Sequence, residues 1–208
     1  MFITFEGPEG SGKTSQIMPL VNTLRQKGYK VFATREPGGT PIGDQIRQVL
    51  MNLDNKSMNP RTEILLFCAS RAQLVQETIL PRLEKKEIVL CDRYADSTLA
   101  YQGYGHGLDL NFLTSLLNFA TSSLKPDLTI LLDLDPQMGL RRRMNSGGEW
   151  NRLDAYELAF HQRVRQGYLK MAQEEPARWR VVDASLAPEM VQAALLKVIL
   201  ESLSRFDA

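Results

Sequence analysis

A glycine-rich stretch near the start of the sequence, Gly7-x-x-x-x-Gly12-Lys13-Thr14, has the spacing of a phosphate-binding loop. In such a loop, glycines allow backbone N–H groups to close around an anion at the N-terminus of a helix. We expect Lys13 to reach the terminal phosphates of a nucleoside triphosphate, and the Thr14 hydroxyl to bind a Mg²⁺ ion that bridges them. The predicted triphosphate-binding residues of this loop are Gly7, Pro8, Glu9, Gly10, Ser11, Gly12, Lys13 and Thr14.

A second set of charged residues follows the apolar run from Ile88 to Cys91. Asp92 comes first, and it is either a ligand of a metal ion or its water, or a cap at the end of a strand. Arg93 comes next, and its planar guanidinium can bind two oxygens of one phosphate. Glu9 is unusual in a phosphate-binding loop, because bound phosphates repel a carboxylate unless it holds a cation or a hydroxyl.

Strand-like segments alternate with helical ones along the chain. This alternation predicts an α/β protein with a parallel sheet of about five strands and helices on both faces, in which ligands bind at the carboxyl ends of the strands. Helices are expected from Thr14 to Lys27, from about Thr40, and between Ile64 and Leu83, where apolar residues recur at helical spacing. The predicted strands are Phe2–Phe5, Lys30–Thr34, Ile88–Cys91, 127–135 and 178–184.

Composition limits the remaining possibilities. The 208 residues carry 43% apolar side chains and a formal charge of +1, which suits one globular domain over residues 1–208 and gives no general reason to expect nucleic-acid or membrane binding. No basic signal region or long apolar stretch is seen, so we expect a cytoplasmic protein. Cys68 and Cys91 are expected to be buried thiols without a disulfide or zinc. His106 and His161 are expected to be ordinary surface or capping residues.

Four segments together resemble bacterial thymidylate kinases over about residues 1 to 200: FEGPEGSGKT, TREPGGT, DRYADSTLAYQGYG and NRLDAYELAFHQRVRQGYLKMA. The third is far more specific than the phosphate-binding loop, which many unrelated nucleotide-binding proteins share. The resemblance implies a three-layer P-loop NTPase fold with a small mobile lid. It also implies transfer of the γ-phosphate of ATP to dTMP with magnesium, usually in a homodimer.

Phe67 and Arg71 are four residues apart on one predicted helix, so both project from the same face. The resemblance assigns Phe67 to stacking on thymine and Arg71 to donation to a pyrimidine carbonyl. Without the resemblance, a core phenylalanine and a solvated arginine would be the better interpretation.

Thr98, Tyr101 and Gln102 share a helix face if Ser97 opens a helix, as its residue type allows. Thr98 and Gln102 could then read the edge of thymine. The resemblance places Tyr101 beside the sugar, where its ring could exclude a 2′-hydroxyl and favour deoxyribonucleotides.

The resemblance also places charged residues around the phosphate and sugar of dTMP. Arg93 would clamp the 5′-phosphate, and Glu9 would lie near the sugar 3′-hydroxyl and metal-bound water. Arg35, Glu36 and Arg47 would flank the same cleft, although a solvated position for Arg47 stays open. The predicted metal-binding residues are Thr14 and Asp92. The predicted dTMP-binding residues are Glu36, Arg47, Phe67, Arg71, Arg93, Thr98, Tyr101 and Gln102.

The segment 141–152 is predicted to be the lid, because arginines flank the pair Gly147 and Gly148. Phosphoryl transfer benefits from positive charge placed where negative charge develops. One branch of the family supplies this arginine from the phosphate-binding loop, where the present sequence has Gly10. The lid must then supply it, through Arg143 or Arg152 and with Arg142 against the adenine. The predicted catalytic residues are Lys13, Arg93, Glu9, Arg143 and Arg152.

Two other functions are weighed against this one. A deoxynucleoside kinase would need a general base, which Glu36 could supply. An enzyme that acts on a nucleoside monophosphate instead needs arginines to bind the phosphate. The density of arginines near the predicted cleft favours the monophosphate as substrate. A GTPase-like switch would carry an Asn-Lys-x-Asp run after a strand, and the near match NKSM at 55–58 lacks the aspartate.

Overall fold

Five short apolar segments pair side by side in one parallel sheet. The computed structural model describes residues 1–145 and 150–206, and in that part of the chain the strands follow the order β2-β3-β1-β4-β5. Every neighbouring pair is parallel. The prediction of a parallel sheet of about five strands is therefore confirmed, with ends that differ by one or two residues. The strands are β1 Phe2–Glu6, β2 Val31–Arg35, β3 Ile88–Asp92, β4 Leu128–Asp133 and β5 Trp179–Asp183.

Helices account for most of the remaining described chain. Two π-helical segments, Val75–Ile79 and Leu99–Gly105, continue directly from the helices before them. The α-helices are α1 Lys13–Gln26, α2 Pro41–Met51, α3 Pro60–Leu74, α4 Leu80–Glu84, α5 Ala95–Thr98, α6 Leu110–Thr121, α7 Pro136–Asn145, α8 Leu158–Glu174 and α9 Pro188–Phe206. Among the described residues, no helix combines the length and the apolar character needed to cross a membrane.

The central strands are buried on both faces, as a parallel sheet between two helical layers requires. All five residues of β1 are buried, and successive side chains point to opposite faces. Ile3 and Phe5 pack into a core with residues of α1 and α9, whereas Phe2 packs on the other face against Leu74 and Ile79. This is the predicted three-layer arrangement.

Two local predictions need correction. The helix that carries Thr98 begins at Ala95 rather than Ser97, because the Ser97 hydroxyl donates to a distant carboxylate instead of capping a helix. The helical run after Pro60 is not one regular helix, since the π-helical segment Val75–Ile79 separates α3 from α4. A π-helical turn is a single wider turn within a helix. The apolar side chains on either side of it still recur at nearly helical spacing, so the sequence pattern does not reveal it.

The carboxyl ends of three strands meet at one edge of the sheet. In the register of the sheet, Asp92 at the end of β3 is the partner of Phe5 in β1 and of Arg35 in β2. The loop after β1 carries the glycine-rich motif, and the segments after β2 and β3 carry the other charged motifs. The topology thus brings the predicted functional segments together.

Candidate active site

A cleft of about 540 Å³ opens at this edge of the sheet. Of the side chains that the structure describes, seven cationic and three anionic ones line it, so its charge suits an anionic ligand. The anionic side chains are Glu9, Glu36 and Asp92. The cationic side chains are Lys13, Arg35, Arg47, Arg71, Arg93, Arg142 and Arg143.

The phosphate-binding loop is compact, and two of its glycines are needed for steric reasons. Gly7 and Gly10 have positive φ angles of 145° and 70°. A Cβ atom on Gly7 would lie 2.5 Å from the carbonyl oxygen of Leu132, and one on Gly10 would overlap the carbonyl of Gly139 in α7. Any side chain at position 10, an arginine included, would therefore have to displace the backbone of α7.

Lys13 folds back over the loop and lines the cleft. Its ammonium group donates to the carbonyl oxygens of Gly7 and Pro8, both at 2.9 Å, and to the Ser11 hydroxyl at 3.1 Å. Burial, followed by the charge of Arg93, lowers the pKa of Lys13 to about 8. The lysine is held at the loop by acceptors that an anionic ligand could replace.

Thr14 and Asp92 meet at the base of the cleft, where the Thr14 hydroxyl donates to Asp92 Oδ2 at 2.6 Å. These are two oxygen ligands of the kind that Mg²⁺ prefers. The described residues contain no group of three or more His, Cys, Asp or Glu side chains that could hold a metal alone. The pair therefore fits a Mg²⁺ ion that is bound jointly with substrate phosphates, since such an ion keeps few protein ligands.

Arg93 and Glu9 form an ion pair inside the cleft. Arg93 donates to Glu9 Oε1 at 2.7 Å, and the Tyr101 hydroxyl donates to the same oxygen at 2.7 Å. Burial would raise the pKa of Glu9, but the charges of Arg93 and Lys13 outweigh it and lower the pKa to about 2. Burial likewise opposes the charge of Arg93, yet the pKa of Arg93 is raised well above its usual value, chiefly by Glu9. Both groups stay charged at neutral pH.

Glu6 holds Arg93 in place indirectly, through the residues to which it is bonded. Arg93 has a positive φ of 68°, which is uncommon for a residue with a side chain. The fully buried Glu6 accepts from the Tyr94 N–H at 2.8 Å, the Ser97 hydroxyl at 2.5 Å and the Tyr168 hydroxyl at 2.8 Å. The hydroxyls of Ser97 and Tyr168 also accept from Arg93 Nη1 at 3.3 and 3.2 Å. Burial is the main cause that raises the pKa of Glu6 to about 7.

Arg71 is buried and forms one wall of the cleft with Phe67, which is half-buried. Its guanidinium binds Glu36, with Nε and Nη2 at 2.7 and 2.6 Å from Oε2. Nη1 donates to Thr98 Oγ1 at 3.0 Å, and Nη2 donates to the carbonyl of Tyr94 at 3.1 Å. The alternative interpretation of a solvated Arg71 is therefore wrong.

Thr98, Tyr101 and Gln102 all line the cleft, as expected of residues on a shared face. The π-helical segment carries Tyr101 and Gln102, and the Tyr101 carbonyl accepts from the N–H of His106, five residues later. The Gln102 amide donates at 2.6 Å to Glu63, a buried residue of α3 that the sequence did not single out.

The two arginines near the end of β2 and in α2 also line the cleft. Arg47 donates to the Pro37 carbonyl at 2.9 Å and is partly buried, so a fully solvated position is wrong. Burial, with the nearby charge of Arg35, lowers the pKa of Arg47. The Arg35 side chain is more than half exposed and lies 3.7 Å from Asp44.

The arginines of the predicted lid separate into different environments. Arg141 is exposed, whereas Arg142 and Arg143 line the cleft. Arg142 donates to the carbonyl of Ala184 at 2.8 Å and to that of Ser185 at 3.2 Å. Arg143 contacts both carboxylate oxygens of Asp154 at 3.2 Å.

Arg152 is buried outside the cleft lining. It donates to the Leu50 carbonyl at 3.0 Å and to the Tyr156 hydroxyl at 3.0 Å, and it forms an ion pair with Glu63. This environment anchors the segment after the predicted lid to α2 and α3. Gly147 and Gly148, on which the lid prediction depends, lie outside the described residues.

The expectation that both histidines are surface or capping residues is wrong. His161 is 1% exposed, and burial lowers its pKa. His106 packs between the rings of Tyr156 and Phe160, at centroid distances of 5.2 and 4.8 Å. Both cysteines, Cys68 and Cys91, are buried and free.

Sequence reasoning missed the buried residues Glu6, Glu63 and Tyr168, which hold cleft residues in place from behind the lining. A signal existed for Glu6, because it ends an apolar strand just as Asp92 does. Glu63 and Tyr168 lie on helices far from the glycine-rich loop in sequence. Nothing in their spacing indicates that they bond to residues of the cleft.

Comparison with known proteins gives a consistent result. The family model described as thymidylate kinase matches residues 5–195. The thymidylate kinase of Thermomicrobium roseum is 54% identical over 98% of this chain and 96% of its own length. That of Roseiflexus castenholzii is 49% identical over 100% of this chain and 97% of its own. A crystal structure of thymidylate kinase from Ehrlichia chaffeensis superposes with a TM-score of 0.79 at 34% identity, and the match covers 96% of this chain and 98% of that one.

Proposed function

Because this chain belongs to the thymidylate kinase family, it transfers the γ-phosphate of ATP to dTMP, and we propose how the residues of the cleft divide this work. The products are dTDP and ADP. The observation that carries the assignment of roles is the single cleft that joins the phosphate-binding loop, the Thr14–Asp92 pair and the aromatic and arginine wall around Phe67.

We assign the wall formed by α3 and the π-helical segment to the thymine base. Phe67 supplies a flat, half-buried apolar surface beside Arg71. Thr98 and Gln102 provide polar groups at the other side of the base. Tyr101 is held by Glu9 and by Arg93, so its ring has a fixed position in the cleft, and we assign the 2′-position of the sugar to the space beside it. We therefore propose that Tyr101 favours deoxyribonucleotides.

The 5′-phosphate of dTMP is assigned to Arg93 and Arg47. The second pKa of a phosphate monoester is about 6, so dTMP is mostly a dianion at neutral pH and is its own nucleophile. The enzyme needs no general base for this step. It needs cations that bring the attacking oxygen close to the γ-phosphate and offset the charge repulsion between two anions.

The triphosphate is assigned to the loop from Gly7 to Thr14, with Lys13 against the β- and γ-phosphates. The family requires a divalent metal, and we propose Mg²⁺ held by Thr14 and Asp92. Thr14 and Asp92 would hold the ion beside the phosphates, where its charge would offset theirs. Arg143 lines the cleft and is the arginine that we propose for the transferring phosphoryl group, with Arg142 towards the adenine. The buried Arg152 anchors the chain nearby.

A substrate panel with ATP and Mg²⁺ tests these roles: dTMP, dUMP, dCMP, UMP and thymidine. We expect dTMP to be best and dUMP to be weaker by roughly ten-fold to two-hundred-fold, because one lost methyl contact costs about 1–3 kcal/mol. UMP should be poorer still, since Tyr101 excludes its 2′-hydroxyl. A panel in which UMP equals dUMP would remove Tyr101 from sugar discrimination.

We also propose a homodimer that forms through α6. Phe112 and Phe119 are seven residues apart on that helix and are 62% and 85% exposed, while its opposite face packs on α3. The double substitution Phe112→Glu and Phe119→Glu should give a monomer by light scattering. Met18→Glu, at an apolar residue of α1 that is 54% exposed, is the control and should leave the dimer intact. A parent protein that is monomeric would refute the proposal.

The domain organisation and the cellular location of the enzyme are proposals as well. We treat residues 1–208 as one domain, supported by a family match that spans residues 5–195. A cytoplasmic location remains a prediction, supported by the substrates ATP and dTMP. Localisation of a tagged protein in cell fractions would test it.

A further inference from the structure

Glu63 of α3 lies behind the base-binding wall rather than in it. It is 1% exposed and does not line the cleft. Its Oε1 accepts from the Gln102 amide nitrogen at 2.6 Å, and Gln102 does line the cleft. Glu63 therefore touches the cleft through one intermediary, the amide of Gln102.

The charge of Glu63 fixes which atom of the Gln102 amide, the nitrogen or the oxygen, is available to a ligand. An ionised carboxylate only accepts hydrogen bonds, so the nitrogen of the amide must point towards Glu63. The carboxylate is kept ionised by the ion pair with Arg152 and by the Tyr156 hydroxyl at 3.3 Å from Oε2. Burial would raise the pKa of Glu63, but His106, Arg152 and the amide hold it below its usual value. The oxygen of the Gln102 amide is consequently the atom left for a ligand.

The opposite requirement applies to Arg71, which can only donate. A guanidinium has five N–H groups. Four of them donate to Glu36, Thr98 and the Tyr94 carbonyl, and one N–H on Nη1 remains. The wall of the cleft thus offers a fixed donor from Arg71 and a fixed acceptor from Gln102.

This pair of groups distinguishes the two pyrimidine classes. Thymine presents the acceptor O4 beside the donor N3–H, whereas cytosine presents the donor N4–H₂ beside the acceptor N3. With the roles proposed for Arg71 and Gln102, thymine is complementary to the wall. Cytosine would place a donor against a donor and an acceptor against an acceptor.

We propose that Glu63 is a positioning residue that gives the enzyme its preference for thymine over cytosine, by holding the Gln102 amide with its oxygen towards the base. This inference rests on the proposed function, because it places the base against Arg71 and Gln102. The residue at position 63 sets the specificity without contacting the substrate.

The test compares kcat/KM for dTMP and dCMP in the parent and in Glu63→Gln, with ATP and Mg²⁺. A glutamine at 63 can donate or accept, so the Gln102 amide is free to turn its nitrogen to the base. The dTMP to dCMP ratio should fall by at least roughly ten-fold, since a reversed donor and acceptor leave buried groups unpaired. A merely structural role would lower both kcat/KM values together and leave the ratio unchanged.

A reversed pair provides the rescue. Glu63→Gln combined with Gln102→Glu keeps one carboxylate and one amide and again places an acceptor towards the base. It should restore the dTMP to dCMP ratio to within about three-fold of the parent. Tyr156→Phe is the matched control, because it removes a donor to Oε2 of Glu63 and leaves Oε1 with Gln102. Its ratio should equal that of the parent.

The outcomes are separable. If Glu63→Gln does not fold by circular dichroism, Gln102→Met removes the acceptor while Glu63 keeps Arg152, and the ratio should fall in the same way. A parental ratio in Glu63→Gln or in Gln102→Met, or a folded reversed pair without rescue, overturns the inference. A parent that does not phosphorylate dTMP would instead remove the proposed function.

Discussion

Substitution of Arg71 by lysine separates base binding from the rest of the reaction. A lysine keeps a positive charge beside the buried Glu36 carboxylate, so it avoids the cost of leaving that carboxylate unpaired. It loses the planar fork that reaches Glu36, Thr98 and the Tyr94 carbonyl together, and with it the remaining N–H proposed to meet the pyrimidine carbonyl.

The expected magnitude follows from the bond that is lost. A hydrogen bond to a charged group contributes about 1.5–3 kcal/mol, and each 1.36 kcal/mol is a factor of about ten. The KM for dTMP should therefore rise roughly 10-fold to 150-fold in Arg71→Lys. The bond is made to the base, away from the reacting phosphates, so kcat and the KM for ATP should change little.

The assay is steady-state kinetics with each nucleotide varied in turn, alongside urea unfolding to establish that the variant is folded. Arg165→Lys is a matched control, because Arg165 forms a similar fork with Asp133 at 2.7 and 2.9 Å outside the cleft. It should leave both KM values unchanged. If Arg71→Lys alters the KM for ATP instead of that for dTMP, the base does not lie against Arg71.

Three further predictions concern the phosphates and the charge of the cleft. Lys13→Met should lower kcat by several orders of magnitude with the fold intact by circular dichroism, because it removes a cation from the transferring phosphates; near-parental turnover would exclude the loop from the mechanism. Arg143→Ala should lower kcat about 10²- to 10³-fold with small changes in both KM values. Arg141→Ala, at an exposed arginine, should behave like the parent, and equal kinetics of the two variants would contradict the role of Arg143. Glu9 has its pKa lowered from 4.5 to about 2, so its ionised form adds about 3 kcal/mol of stability above the unfolded-state pKa, which is lost as the pH falls through 2. In urea unfolding, Glu9→Gln should therefore lose about 3 kcal/mol less than the parent between about pH 5 and pH 2, and identical pH profiles would refute the ion pair.

Much of the fold follows from local sequence patterns. Continuous apolar runs such as FITFE and IVLCD are typical of buried parallel strands, and their ends were located to within one or two residues. The start of α5 was misplaced, because Ser97 is a good helix cap by residue type but bonds to Glu6, which is 91 residues away in sequence. Local patterns carry no information on such long-range partners.

The site was predictable where it depends on motifs and less so where it depends on packing. The glycine-rich loop and the Asp92-Arg93 pair are contiguous in sequence, and the sheet brings them together. The burial of Arg152 and its pairing with Glu63 could not be inferred, since a run of arginines beside glycines looks the same whether it is solvated or folded back. Only the tertiary structure distinguishes Arg143, in the cleft, from Arg152, behind it.

The central claim is that the cleft moves the γ-phosphate of ATP to the phosphate of dTMP. The most direct measurement uses ATP with a radioactive label in the γ position, Mg²⁺, and either dTMP or thymidine, with products separated by chromatography. The account predicts labelled dTDP from dTMP and essentially no labelled product from thymidine, because thymidine lacks the dianion that Arg93 and Arg47 are placed to bind. Labelled dTMP formed from thymidine, with little dTDP formed from dTMP, would contradict it.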